Sequence, residues 1–332
     1  MAVPGVRSAV RLNCDAGPWS KSPFTPQQRQ QPMGFPQLSD AFRCERLVPP
    51  GGPVRMVLDT DTDNEVDDQF AVAYALLAPE VLTLEAIYAA PFHNDRSSGP
   101  GDGMERSYQE IHTVLKRMNS PFDVVLRGSQ NYLAAAGEPV DSPAARDLIA
   151  RALASDHPLY VATIGAPTNV ASALLLEPSI VERIVVVWLA GHPHDWPTAR
   201  EFNLVQDLHA SRVLFDSGVP LVQIPARLVA EQLRTTVPEL DACLRGRGAL
   251  ADYLCDIVAG YATQPFCYSK VIWDIAAIAW LVQPDWVPTV LTSTPILTSE
   301  VTYSRDASRP LMRLARICQR DAIFGDLFRR FS

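Results

Sequence analysis

Beyond residue 53 the chain alternates short apolar runs with longer stretches whose apolar residues recur at helical spacing. Val54 to Leu58 predicts a strand, and Phe70 to Leu77 a helix that stops at Pro79. Leu82 to Ala90 predicts a second strand, followed by a polar loop from His93 to Gly103 and a helix from Met104 to about Met118. Val124 to Leu126 is a third strand, Ala144 to Ala154 a helix, Leu159 to Ile164 a strand and Asn169 to Leu176 a helix. Val181 to Ala190 finishes one helix and supplies the next strand. Further on, 207–216 is helical, Leu221 to Ile224 a strand, and 249–263 and 274–282 are helices.

Strands alternating with helices predict an α/β domain, with an open, mostly parallel sheet flanked by helices around a Rossmann-like core. The run Val54-Arg-Met-Val-Leu58 and the run Leu159 to Ile164 are apolar enough to be covered on both faces, as parallel strands are. In such sheets ligands bind outside the carboxyl ends of the strands. Three segments that follow strands therefore converge on one edge: the acidic stretch after Leu58, Gly165-Ala-Pro-Thr168-Asn169, and Ala190-Gly191-His192. Residues 1–52 hold many prolines and a Gln-rich stretch from Gln27 to Gln31, with neither period. They predict a flexible arm ending at Pro49-Pro-Gly-Gly-Pro53, with the folded domain over 53–332.

Composition narrows the class. In 332 residues, 47% hydrophobic content is enough for a large core. The 37 acidic residues outnumber 29 basic ones for a net charge of −8, which argues against a nucleic-acid partner. No run reaches the length of a membrane span, and the first residues lack the apolar core of a secretory signal. Arg7, Arg11, Lys21 and Arg29 faintly resemble a transit peptide, but the surrounding Pro, Gln and Ser read more simply as a disordered extension. A cytoplasmic protein is expected. The cysteines at 14, 44, 243, 255, 267 and 318 form no C-x-x-C pair or zinc-finger spacing, so reduced thiols are expected.

The chemistry is concentrated between Asp59 and Asp68, where five aspartates and one glutamate follow an apolar strand. Such crowding is costly unless a cation or protons offset the repulsion. Sulfur-free oxygen ligands favour a hard ion such as Ca²⁺ or Mg²⁺. An EF-hand loop beginning at Asp59 fails, because its glycine position is Asn64 and its terminal glutamate position is Phe70. Asp59-Thr-Asp61 also fits the start of a haloacid-dehalogenase-like, Mg²⁺-dependent phosphatase. There the residue usually Thr or Val is Asp63, and no later lysine or acidic motif completes the set.

Asp61-Thr-Asp63-Asn-Glu-Val-Asp67-Asp68 resembles the Asp-x-Asp-x-x-x-Asp-Asp signature of the inosine-uridine-preferring nucleoside hydrolases. Four later segments resemble that family in order: Gly165-Ala-Pro-Thr168-Asn169; Glu177 to Arg183 with the strand and Ala190-Gly191 after it; Glu201-Phe-Asn203-Leu-Val-Gln-Asp207; and Asp274-Ile-Ala-Ala-Ile-Ala. The resemblance spans about 54 to 332.

It implies calcium-dependent hydrolysis of the N-glycosidic bond of small ribonucleosides, in a chain that forms a homo-oligomer, a dimer or tetramer. It also implies roles. Asp63 is the general base and a Ca²⁺ ligand, joined by Asp68, Asp274 and the backbone carbonyl of Thr168. Asp67, Asn94, Glu201 and Asn203 hold the ribose hydroxyls. Trp273 replaces the histidine that many purine-active members carry, and its ring offers stacking rather than a proton. His93, His192 and His194 are the candidate donors to the leaving base. A non-catalytic ribose- or nucleoside-binding homologue is the remaining alternative.

Overall fold

The computed structural model describes residues 34–264 and 266–331. The inner strands alternate between two cores, as strands covered on both faces do. In β1 (Val54–Thr60) Met56 and Leu58 enter one core and Val57 the other. In β4 (Leu159–Thr163) Tyr160 and Ala162 oppose Leu159 and Val161. In β5 (Ile184–Leu189) Val185, Val187 and Leu189 oppose Ile184, Val186 and Trp188.

With β2 (Leu82–Ala89), β3 (Val125–Arg127) and β6 (Leu221–Ile224), these strands form a parallel array in the order β3-β2-β1-β4-β5-β6. Strand Leu311–Ala315 adds parallel to β6, and Thr289–Ser293 closes the edge antiparallel to it. The expected open, mostly parallel sheet is present. Chain order reverses between β1 and β4, so the crevice between their carboxyl ends is the topological switch point, where such sheets bind ligands.

Helices cover both faces. The core behind β1 Met56 and Leu58 takes α2 (Asp68–Leu76), α3 (Pro100–Met118) and helices Ala249–Tyr261 and Ile275–Val282. α2 is buried on every side; Ala71, Ala73 and Ala75 leave room for it between the sheet and Ile275–Val282. On the opposite face lie α4 (Pro143–Leu153), α5 (Thr168–Leu176) and α7 (Leu208–Asp216), after the short α6 (Phe202–Gln206).

The folded part begins earlier than expected. Residues 1–33 of the predicted arm lie outside the described residues, but Asp40–Arg46 form a helix, α1, capped by the Ser39 hydroxyl. Phe35 and Leu47 are buried, and Arg43 donates to the Gly218 carbonyl at 2.6 Å. Seven residues are too few to show a helical period, and the flanking prolines masked it. The five described cysteines are free thiols, as expected. No helix among the described residues is long and apolar enough to cross a membrane.

Candidate active site

β1 delivers Asp59, Thr60 and Asp61 to the switch point with no exposure to solvent. Alternation turns Asp59 downward. Its carboxylate accepts from Thr163 Oγ1 at 2.9 Å and Asn169 Nδ2 at 2.8 Å, tying β1 to β4 and α5. Burial pushes its carboxyl up to about 7 despite those bonds. Asp59, one of the two nucleophiles the phosphatase reading offered, is thus a structural clamp below the site, which leaves that reading Asp61 alone.

Asp61 points the other way. Both of its carboxylate oxygens, and Oδ2 of Asp68, are buried without a hydrogen-bond partner. Asp67, Asp68 and Asp274 each offer a carboxylate oxygen within 4.8 Å of the others. Asp67 and Asp68 open α2, where the helix dipole favours negative charge; Asp274 opens Ile275–Val282 from the far end of the chain. Thr60 Oγ1 fixes Asp68 by donating to Oδ1 at 2.5 Å, and the Trp273 N–H fixes Asp67 at 3.1 Å.

Burial is the largest cause raising all four carboxyls above their ordinary range, and repulsion from neighbouring carboxylates, which for Asp67 is that of Glu65, adds to it. Asp68 is pushed up to about 8. Among their neighbours, the Lys270 ammonium lies 3.8 Å from Asp67, though its closer bond is to Glu65. Orphaned buried carboxylate oxygens in a sulfur-free donor set are what a hard divalent cation satisfies, so these residues fit Ca²⁺ or Mg²⁺.

The structure does not bring Asp63 to this group. Asp63 sits in the loop before α2 at φ +90°, with its side chain 27% exposed. It pairs with Arg96 at 3.3 Å and Arg106 at 3.0 Å. The carboxylate beside the Asp67–Asp68–Asp274 group is Asp61. Asp63 faces outward because β1 ends at Thr60 and residues 62–66 leave the sheet edge as a loop that Arg96 and Arg106 hold from outside.

The other expected residues surround a cavity of about 890 Å³ that Asp67 and Asp274 also line. Glu201 accepts from the backbone N–H groups of Gly191 at 2.8 Å, Asn203 at 3.1 Å and Leu204 at 3.2 Å, capping α6. Burial nevertheless raises its carboxyl to about 7. Asn203 Nδ2 donates to the Ile164 and Leu189 carbonyls, at 2.9 and 3.0 Å, bridging the ends of β4 and β5. Asn94 Nδ2 donates to Asn64 Oδ1 at 3.2 Å and its Oδ1 accepts from the Arg96 N–H at 2.8 Å. Trp273 lines the cavity too. Thr168 starts α5 behind it, its hydroxyl donating to Asp207 at 2.9 Å.

Of the three histidines only His192 lines this cavity. His194 is held by Gln223 at 2.8 Å beside a different one, and the backbone of His93 donates to Gln206. Sequence reasoning missed Asp61 as the central carboxylate, along with Glu65, Tyr261 and Lys270. The Tyr261 hydroxyl donates to Glu65 at 3.2 Å, and Lys270 also bonds Glu65. Asp59-x-Asp61 at the strand's end was the available signal for the first. The contacts of Glu65 with Tyr261 and Lys270 span some two hundred residues and had none.

The sequence pattern of the family described as inosine-uridine preferring nucleoside hydrolase matches residues 56–309. The chain is similar to the non-specific ribonucleoside hydrolase RihC of Escherichia coli, 26% identical over 257 residues, which are 70% of this chain and 81% of that one. It is also similar to the pyrimidine-specific ribonucleoside hydrolase RihB of Escherichia coli, 29% identical over 154 residues, 44% of this chain and 49% of that one. The chain spans only 49% to 63% of the pyrimidine-specific relatives it matches. Among solved structures, the fold is like that of the purine-preferring ribonucleoside hydrolase from Gardnerella vaginalis, with a TM-score of 0.69 and 22% identity over 83% of this chain and 98% of that one.

Proposed function

The chain belongs to the inosine-uridine preferring nucleoside hydrolase family, and from that premise we propose that it hydrolyses the N-glycosidic bond of ribonucleosides, releasing ribose and free base, with Ca²⁺ as its metal. The observation that carries the reading is Asp61: a buried carboxylate with both oxygens unpartnered, beside Asp67, Asp68 and Asp274 at the β1/β4 crevice.

Asp61, Asp68, Asp274 and the backbone carbonyl of Thr168 would hold the cation. Once bound, it would supply Lewis-acid polarisation of the attacking water and orientation of the ribose hydroxyls. Asp61 takes the proton from that water; the role expected for Asp63 passes to it, since Asp63 is engaged by two arginines. Asp67, fixed by the Trp273 N–H, accepts from a ribose hydroxyl, and Glu201, Asn203 and Asn94 flank the same cavity to hold the rest of the sugar. Cleavage builds oxocarbenium-like positive charge on the ribose, and a wall of carboxylates stabilises it electrostatically.

Trp273 cannot protonate a leaving base, so the base leaves either unprotonated or with a proton from His192, the one expected histidine on the cavity wall. The test is ribose release from purine and pyrimidine ribosides, with and without chelator. Calcium-dependent ribose release is expected; tight nucleoside binding without turnover would reassign the chain as a binding protein.

A further inference from the structure

The cavity wall carries basic as well as acidic side chains, and of the basic ones Arg96 is paired with Asp63. Lys270 is bonded to Glu65 and lies 3.8 Å from Asp67. Arg200, Arg227 and Arg234 line the same cavity, and the anion among them is Glu231, which pairs with Arg227 at 3.1 Å and Arg234 at 3.0 Å. One carboxylate thus serves two guanidiniums. The third, on Arg200, is exposed and has no hydrogen-bond or ion-pair partner among the described residues.

His192, 7% exposed, ties these groups together. The backbone of Arg200 and the charges of Arg227 and Glu231 all act on its ring, and its Nδ1 is buried without a partner. Arg200 directly precedes Glu201, so the sugar-binding residues and this basic rim adjoin. A neutral nucleoside with its ribose on the carboxylates leaves Arg200 nothing to bind, and Arg227 and Arg234 one carboxylate between them. Uncompensated cations in a cleft concentrate anions, and the planar guanidinium fork matches phosphate and carboxylate oxygens.

We propose that the substrate carries an oxyanion beyond its ribose, a phosphate or a carboxylate, held by Arg200 and Arg227. This rests on the hydrolase reading above and specifies its substrate class. The reaction is unchanged in balance. Water adds across the bond between C1′ and the base nitrogen, its hydroxyl going to the sugar and its proton to the base, while the oxyanion stays intact.

The full chain in saturating CaCl₂ is assayed for release of free base from uridine, from uridine 5′-monophosphate and from orotidine. One anionic substrate is expected to exceed uridine in kcat/KM by about tenfold or more, the size of one or two charged hydrogen bonds. Preference for the monophosphate places the anion on the sugar; preference for orotidine places it on the base. Arg200→Ala, and Arg200→Ala with Arg227→Ala, are expected to bring the ratio of anionic to neutral substrate close to one, mainly through KM. Uridine cleaved as well as either anion, with a ratio unmoved by Arg200→Ala, overturns the proposal while leaving the hydrolase reading intact. If no riboside is cleaved, that reading fails, and titration with ribose 5-phosphate, orotate, ribose and uracil still decides. Tighter binding of either anion than of its neutral counterpart, lost in Arg200→Ala, supports the basic rim, and equal binding within both pairs overturns it.

Discussion

A Cβ placed on Gly165 would lie 2.9 Å from the carboxyl carbon of Asp61. The turn after β4 and the end of β1 are therefore fitted to each other, with the absent side chain of one making room for the carboxylate of the other. Gly165→Ala must push Asp61 aside. A displacement of about 1 Å at a reacting group costs on the order of a hundredfold. We expect that loss in kcat/KM with the circular dichroism spectrum unchanged; wild-type turnover in a folded variant would separate Asp61 from the chemistry.

Asn169 holds the floor. It donates to Asp59 at 2.8 Å and accepts from Ser129 N–H and Oγ at 2.7 and 2.9 Å. Asn169→Ala strands one oxygen of the fully buried Asp59 carboxyl, whose other oxygen keeps Thr163, and a buried N–H, an expected loss of about 2–3 kcal/mol. Urea denaturation checks it. A midpoint equal to wild type would mean that the network adds nothing to stability.

Charge burial makes the metal-free protein sensitive to pH. Asp59 and Glu201 are held up to about 7 and Asp68 up to about 8, burial being the first cause in each. Their ordinary values are 3.8, 4.5 and 3.8. The folded chain keeps protons that the unfolded chain releases, so this contribution is complete below about pH 4 and is lost as pH rises towards 8. The Tm of chelated protein is expected to fall between pH 5 and pH 8. Added Ca²⁺ should raise Tm more at pH 8 than at pH 5, because binding must displace those protons. Differential scanning calorimetry showing the opposite order would contradict the assignment of a cation to these carboxylates.

Much of this was legible in the chain, and the exceptions have physical causes. Strand and helix periods located the sheet because both faces are buried, and Asp67, Asp68 and Asp274, all singled out in the chain, lie together in the structure. The structure sets Asp61 beside that group and Asp63 outside it, paired with Arg96 and Arg106. Five residues, 62–66, separate Asp61 from Asp67, as five separate the first Asp of Asp-x-Asp-x-x-x-Asp-Asp from its third, so Asp61 falls on the first Asp and Asp63 on the second. Counting back from Asp67-Asp68 therefore lands on Asp63. Counting forward from the end of β1 lands on Asp61, which stays buried while Asp63, in the loop before α2, faces outward. What holds that loop is Arg96 and Arg106, some 33 and 43 residues from Asp63. No local pattern reports such partners. The short α1 escaped for want of length, and the last two strands of the sheet, Leu311–Ala315 and the edge strand Thr289–Ser293, because Arg313 in one and three Thr or Ser residues in the other break the apolar run.

The account turns on which aspartate acts, and one comparison tests it: release of ribose from inosine and uridine by wild type, Asp61→Asn and Asp63→Asn in excess CaCl₂. The expected result is turnover by wild type and loss of about a thousandfold in Asp61→Asn, the scale of a missing general base. Asp63→Asn should stay within about fivefold of wild type, the scale of an exposed ion pair. An inactive Asp63→Asn beside an active Asp61→Asn would contradict it.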